Sequence, residues 1–105
     1  MLNYLIPKNR SKIFITVNNV KYYLAHTGLN GNVSYQIFLK VGQRLFYLEL
    51  VNDVGRWSFH VELKEKFIYD SRIGKKFYDT PEAAHSEMIN LLFLKYNIEN
   101  EPITL

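Results

Sequence analysis

The sequence contains no cysteine, which removes disulfides, thiolate nucleophiles and cysteine-ligated zinc together. With three prolines and five glycines, it is too poor in both for a fibrous or low-complexity chain. No run approaches the roughly eighteen apolar residues that a membrane-spanning helix needs. Met1-Leu2-Asn3-Tyr4-Leu5-Ile6 is too short for a signal h-region and has no basic residue ahead of it. Acid is missing only locally. The first carboxylate is Glu49, so residues 1–48 carry Lys8, Arg10, Lys12, Lys21, Lys40 and Arg44 uncompensated, a charge of +6. Residues 49–78 sum to +1 and residues 79–105 to −4, which gives the net +3. The distribution excludes an acidic nucleic-acid mimic and favours an anionic partner for the first half. A cytoplasmic protein without a membrane association is expected.

What is present is ordinary in amount. The chain has 105 residues, 48% hydrophobic and 22% charged, as expected of a single domain over 1–105 with one core. Aromatics stand out, with eight tyrosines, seven phenylalanines and Trp57. Glycine and proline punctuate five β-branched and aromatic runs with a period near two, at 12–17, 20–26, 33–41, 44–51 and 56–64. A weaker pair, 67–70 and 75–78, predicts a sixth strand or a hairpin. Thr80-Pro81-Glu82 reads as N-cap, first-turn proline and dipole-favouring acid, and opens a helix over 81–96. The fold class is α+β: an antiparallel meander sheet of five or six strands over about 12–78, followed by one C-terminal helix packed on one face, with short flexible tails.

Turn chemistry predicts the register. Asn18-Asn19 tolerates positive φ at both positions and suits a two-residue type I′ turn, so Val17 faces Val20, Ile15 faces Tyr22 and Ile13 faces Leu24. Gly42-Gln43 predicts the next tight turn, with Leu39 against Phe46, Ile37 against Leu48 and Tyr35 against Leu50. A four-residue turn over Asn52-Asp53-Val54-Gly55 then sets Leu50 against Trp57, Leu48 against Phe59 and Phe46 against Val61. One face stays apolar throughout and is assigned to the core.

The opposite face carries rings interleaved with cations. Phe14 is expected to pair with Tyr23, and Phe38 with Tyr47 beside His60; Lys12, Lys21, Lys40 and Arg56 share that face. An outer sheet face ordinarily favours Thr, Lys, Glu and Arg, so this composition marks a surface that meets something. The helix gives a second indication. Ala84, Met88, Ile89, Leu91, Leu92, Phe93 and Tyr96 span an arc of roughly 200°, with Leu94 isolated on the polar side. Such a helix either sits deep in a curled sheet or packs on a second chain, which makes a homodimer one expectation.

Catalytic chemistry finds little support. His60 and Glu62 share a strand face at i, i+2, but no third metal ligand accompanies them, so they are read as solvated surface residues. His85 and Glu87 diverge by about 200° on a helix and share no site. His26 is read as a turn residue beside a glycine-containing loop. No serine lies in a G-x-S-x-G context, and Gly28-Leu29-Asn30-Gly31 lacks the Lys-Ser/Thr of a phosphate loop. No catalytic residue, metal ligand or cofactor is assigned, and an enzyme is not expected.

The outer face is therefore the candidate site, with Phe14, Tyr23, Phe38 and Tyr47 as contact rings and Lys12, Lys21, Lys40 and Arg56 around them. The preferred reading is a non-enzymatic interaction module that self-associates or binds a protein through these rings. The alternative is a single-stranded nucleic-acid binder, with bases on the rings and phosphates on the cations. Arg72, Lys75 and Lys76 around Gly74 form a separate basic cluster, read as a projecting hairpin tip.

Two stretches carry local likenesses. Gln43–Leu50 followed by Asn52–Trp57 resembles the strand-turn-strand of PUR-type single-strand nucleic-acid-binding repeats, although residues 1–40 have no counterpart there. Gly74–Ala84 is similar to the strand-to-helix junction of AP2-like DNA-binding domains, a junction that encodes a capped helix start. Neither covers the whole chain, and no family is assigned from them.

Overall fold

The computed structural model describes residues 2–98. Seven antiparallel strands precede one helix: β1 (Asn3–Leu5), β2 (Phe14–Val17), β3 (Val20–Thr27), β4 (Val33–Val41), β5 (Arg44–Asp53), β6 (Arg56–Leu63), β7 (Lys66–Asp70) and α1 (Pro81–Tyr96). The sheet runs β2-β3-β4-β5-β6-β7 in chain order, and β1 joins it beside β4. The meander and its C-terminal helix are thus as the sequence pattern predicts, with one strand more. Three residues are too few to show a period, and the expected N-terminal tail instead contributes β1. The stretch expected as a C-terminal tail lies, beyond Ile98, outside the described residues.

Local chemistry explains the turns. Asn18 and Asn19 both adopt positive φ, 49° and 66°, and bring Val17 opposite Val20. Gly42, at φ +61°, starts the β4–β5 turn, and Tyr35, Ile37 and Leu39 face Leu50, Leu48 and Phe46 as predicted. The β5–β6 connection corrects the expected register by two residues. Val54 (φ 53°) and Gly55 (φ 83°) alone form the turn, with Asp53 opposite Arg56, so Leu50 faces Phe59, Leu48 faces Val61 and Phe46 faces Leu63. The Asn52 carboxamide accepts from the Gly55 N–H at 2.9 Å and supports this tighter turn around a β-branched residue. A two-residue shift preserves face parity, so the apolar set stays on one side. Lys64 and Glu65 form a further two-residue turn at φ 48° and 67°. The expected 75–78 strand reduces to one bridge, in which Tyr78 exchanges two 2.8 Å backbone hydrogen bonds with Trp57.

One edge of β4 is divided between two partners: β3 pairs with residues 33–36 and β1 with residues 38–40. Beyond Tyr23 and Gln36 the β2–β3 hairpin leaves β4 and reaches α1. There the Asn18 carboxamide donates to the Glu82 carbonyl and the Ser86 hydroxyl, each at 3.2 Å. The sheet therefore curls around the helix, which packs on β5 and β6 and touches β2. This curl accommodates most of the helix's wide apolar arc. Ala84, His85, Met88, Ile89 and Leu92 are buried, while Phe93 and Leu94 remain 40% and 75% exposed.

The helix is capped as its sequence predicts. The Thr80 hydroxyl accepts from the Ala83 N–H at 3.1 Å, and Pro81 occupies the first turn. Asn97, left-handed at φ 55°, closes the other end with its N–H on the Phe93 carbonyl at 2.9 Å. Arg44 donates to the Tyr96 carbonyl at 2.8 Å and stacks on the Tyr96 ring, which ties the helix end to the β4–β5 turn. Beneath the sheet the core is closed by Tyr22, Phe46, Leu48, Leu50, Phe59 and Leu92, all essentially inaccessible. The Tyr22 hydroxyl and His85 Nδ1 share a hydrogen bond at 2.6 Å, so two polar side chains on the core face satisfy each other.

Candidate interaction face

Two register lines cross the outer face. One runs Phe14, Tyr23, Gln36, Glu49, His60, Asp70 over β2 to β7. The other runs Leu5, Phe38, Tyr47, Glu62, Phe67 over β1 and β4 to β7. Both expected ring pairs form: Phe14–Tyr23 with centroids 5.9 Å apart and Phe38–Tyr47 at 5.5 Å. The β5–β6 register corrects their surroundings, since Tyr47 faces Glu62 and His60 faces Glu49.

Accessibility divides the rings. Phe14 is 44% exposed, whereas Tyr23 is only 7% exposed and lies under the Arg10 guanidinium, 5.5 Å from its ring. Phe38 and Tyr47 are half-buried. The Tyr47 hydroxyl donates to Glu49 at 2.8 Å; burial, then the Glu49 and Glu62 charges, push its pKa well above the usual phenol value. Much of the cover comes from the connector after β1. Ile6, Pro7 and Lys8 lie along Gln36, Phe38 and Leu45 and leave a groove of about 480 Å³ between connector and sheet. Pro7 is buried, and Leu5, Ile6 and Leu45 are 38%, 53% and 38% exposed.

The four predicted cations are all exposed but do not form one group. Lys21 sits with its ammonium 4.7 Å over the Phe14 ring, and Lys12 is separated from the start of β2 by Ile13. Lys40 lies opposite Asn3 on one side and Leu45 on the other. Arg56 is apart from them on β6, opposite Asp53 and 4.1 Å over the Phe77 ring.

The β6–β7 side carries a network that spacing alone does not reveal. His60 places Nε2 2.6 Å from Glu62 and Nδ1 3.1 Å from Asp70. An uncharged imidazole donates from one nitrogen only, so both contacts are hydrogen bonds only in the imidazolium. Asp70 also receives the Arg72 backbone N–H and Nε, each at 2.9 Å, together with a second guanidinium nitrogen. Burial raises the Asp70 carboxyl, but hydrogen bonds from Arg72 and His60 outweigh it and hold the group below its ordinary value. His60 is thus no solvated residue: its side chain is 18% exposed, with a partner on each nitrogen. Asp70 is ten residues away, and only the β6–β7 register line brings the two together. Arg72, expected on a projecting tip, folds back onto Asp70. His26 is likewise in strand β3, opposite Ser34.

Among the described residues, no three His, Cys, Asp or Glu side chains could hold a metal ion. No described helix is long and apolar enough to cross a membrane. Comparison with known proteins gives no match to a family model, a curated protein or a solved structure.

Proposed function

We propose that the protein is a small, non-enzymatic interaction module of the cytoplasm that binds a protein partner or itself through the outer face of its sheet. The observation that carries this reading is the line Leu5, Phe38, Tyr47, Glu62, Phe67, which runs from the 480 Å³ groove to Phe67, itself 55% exposed. Removing such side chains from water contributes about 25 cal/mol per Å² of apolar area, and among the described residues the connector covers them only in part. Both flanking sheet edges argue for a face rather than an edge contact: β2 is four residues long, and the β6–β7 register slips between Val61 and Glu62. Phe93 and Leu94 are exposed on α1, on the other side of the sheet, and would favour self-association through a second surface.

Nucleic-acid binding is the second reading, favoured by Lys21 over the Phe14 ring and by exposed Lys12 and Lys40. It has fewer rings to use, because Tyr23 is covered and Tyr47 is committed to Glu49. A photo-reactive side chain at position 45 or 67, with position 29 on an exposed loop as control, tests the choice in cells. Protein cross-links at 45 and 67 but not at 29 are expected. Nucleic acid recovered in their place would overturn the proposal.

A further inference from the structure

The groove beside the connector also has a chemistry of its own. Its lining is largely aliphatic, from Leu5, Ile6, Pro7 and Leu45, with Phe38 on the floor, and its size falls in the range of sites that enclose a ligand. Cations stand at its margins: Lys8 on the connector wall and Lys40 beside Leu45. Among the described residues neither lysine has a carboxylate within 4.0 Å. Nearby acids are engaged elsewhere, Glu49 with Tyr47 and Glu62 with His60, and Arg44 is committed to the helix end. Two unpaired ammonium groups flanking an aliphatic trough complement a ligand with aliphatic side chains between carboxylates. A nucleic acid would meet the charges but not the trough, which offers one half-buried ring for stacking.

Resting on the interaction-module reading, we propose that the groove takes an extended segment of a partner protein in which aliphatic residues are flanked by acidic ones. The test is fluorescence polarisation on the full chain with a labelled peptide Glu-Glu-Ile-Ser-Leu-Glu-Glu. Three controls accompany it: the same peptide with Lys for Glu, one with Ser for Ile and Leu, and a labelled oligothymidylate. The acidic aliphatic peptide is expected to bind about tenfold or more tightly than each control. The double variant Lys8→Glu, Lys40→Glu replaces two exposed, unpaired side chains, so its urea midpoint should match the wild type while its preference passes to the Lys peptide. Binding of the aliphatic peptides regardless of charge overturns the acidic preference and leaves the interaction-module reading standing. No peptide binding, or preferential binding of oligothymidylate, overturns the proposal outright. The broader reading fails separately, by absence of protein cross-links at positions 45 and 67.

Discussion

The two halves of the outer sheet face are built from similar residue types and solve opposite problems. Towards β6 and β7, charges occur in compensating sets: Glu62, His60, Asp70 and Arg72 bond one another, and Tyr47 bonds Glu49. Towards β1 and the start of β2, cations lie beside aliphatic side chains with no carboxylate of their own among the described residues. A surface that satisfies itself needs no second molecule, whereas one that leaves both charge and apolar area open gains by meeting one. On the proposed reading, stability rests on one half and recognition on the other.

Mutation should separate those roles. The largest effect is expected at Asp70, which is 6% exposed and holds both His60 and Arg72. Asp70→Ala removes the buried carboxylate that accepts from the Arg72 backbone N–H, from its partly exposed guanidinium and from His60, and should cost about 3 kcal/mol in urea unfolding, while leaving peptide binding at the β1 side unchanged in the surviving folded protein. An undiminished urea midpoint would erase the distinction between the halves.

Acid probes the same comparison across the sheet. An ordinary imidazole takes up its proton near pH 6.5, but burial lowers the His85 pKa to about 4. Between these values the unfolded chain binds a proton that the folded chain refuses, so stability falls as pH drops from 6.5 to 4, by about 3 kcal/mol in all. Asp70 acts in a later window. Its folded pKa lies below the ordinary 3.8, so its contribution is present above that value and disappears as pH falls through the folded one. Urea midpoints across pH should therefore decline in two stages, and His85→Gln, which retains an acceptor for Tyr22, should remove the first only.

Val54 supplies a smaller effect of opposite sign. It is 84% exposed and left-handed at φ 53°, a conformation that Asn accepts more readily than a β-branched residue. Val54→Asn should raise stability by about 1 kcal/mol without touching either half of the face. The smallest change in stability, within about 0.5 kcal/mol, is expected for Lys40→Glu on the recognition side. A large loss there would mean that Lys40 is structural.

Legibility followed the reach of each signal. Thr80-Pro81 announces a helix start locally, and residues 81–96 were readable to both ends. Asn18-Asn19 and Gly42 likewise declare their turns through backbone conformations they tolerate. Val54 and Lys64-Glu65 adopt left-handed turns that their side chains do not advertise, so the β5–β6 register was misplaced by two residues and the last turn went unread. The ring pairs Phe14–Tyr23 and Phe38–Tyr47 were legible because each spans a well-marked hairpin or its neighbour's register. What covers them was not: the connector approaches Phe38 and Leu45 from more than thirty residues away in sequence, through a three-residue strand with no period. The His60–Asp70 contact was hidden for a related reason, since it depends on a turn with no turn residues in it.

The divided edge of β4 has a kinetic consequence. Amides of residues 38–40 that point towards β1 are protected by a ladder of three residues, whereas their counterparts in 33–36 are held by the eight-residue β3. Hydrogen exchange should therefore reach 38–40 first, through openings that release the N-terminal strand while the remaining six stay paired. The floor of the groove would then be uncovered on a timescale set by the shortest ladder in the molecule rather than by global unfolding.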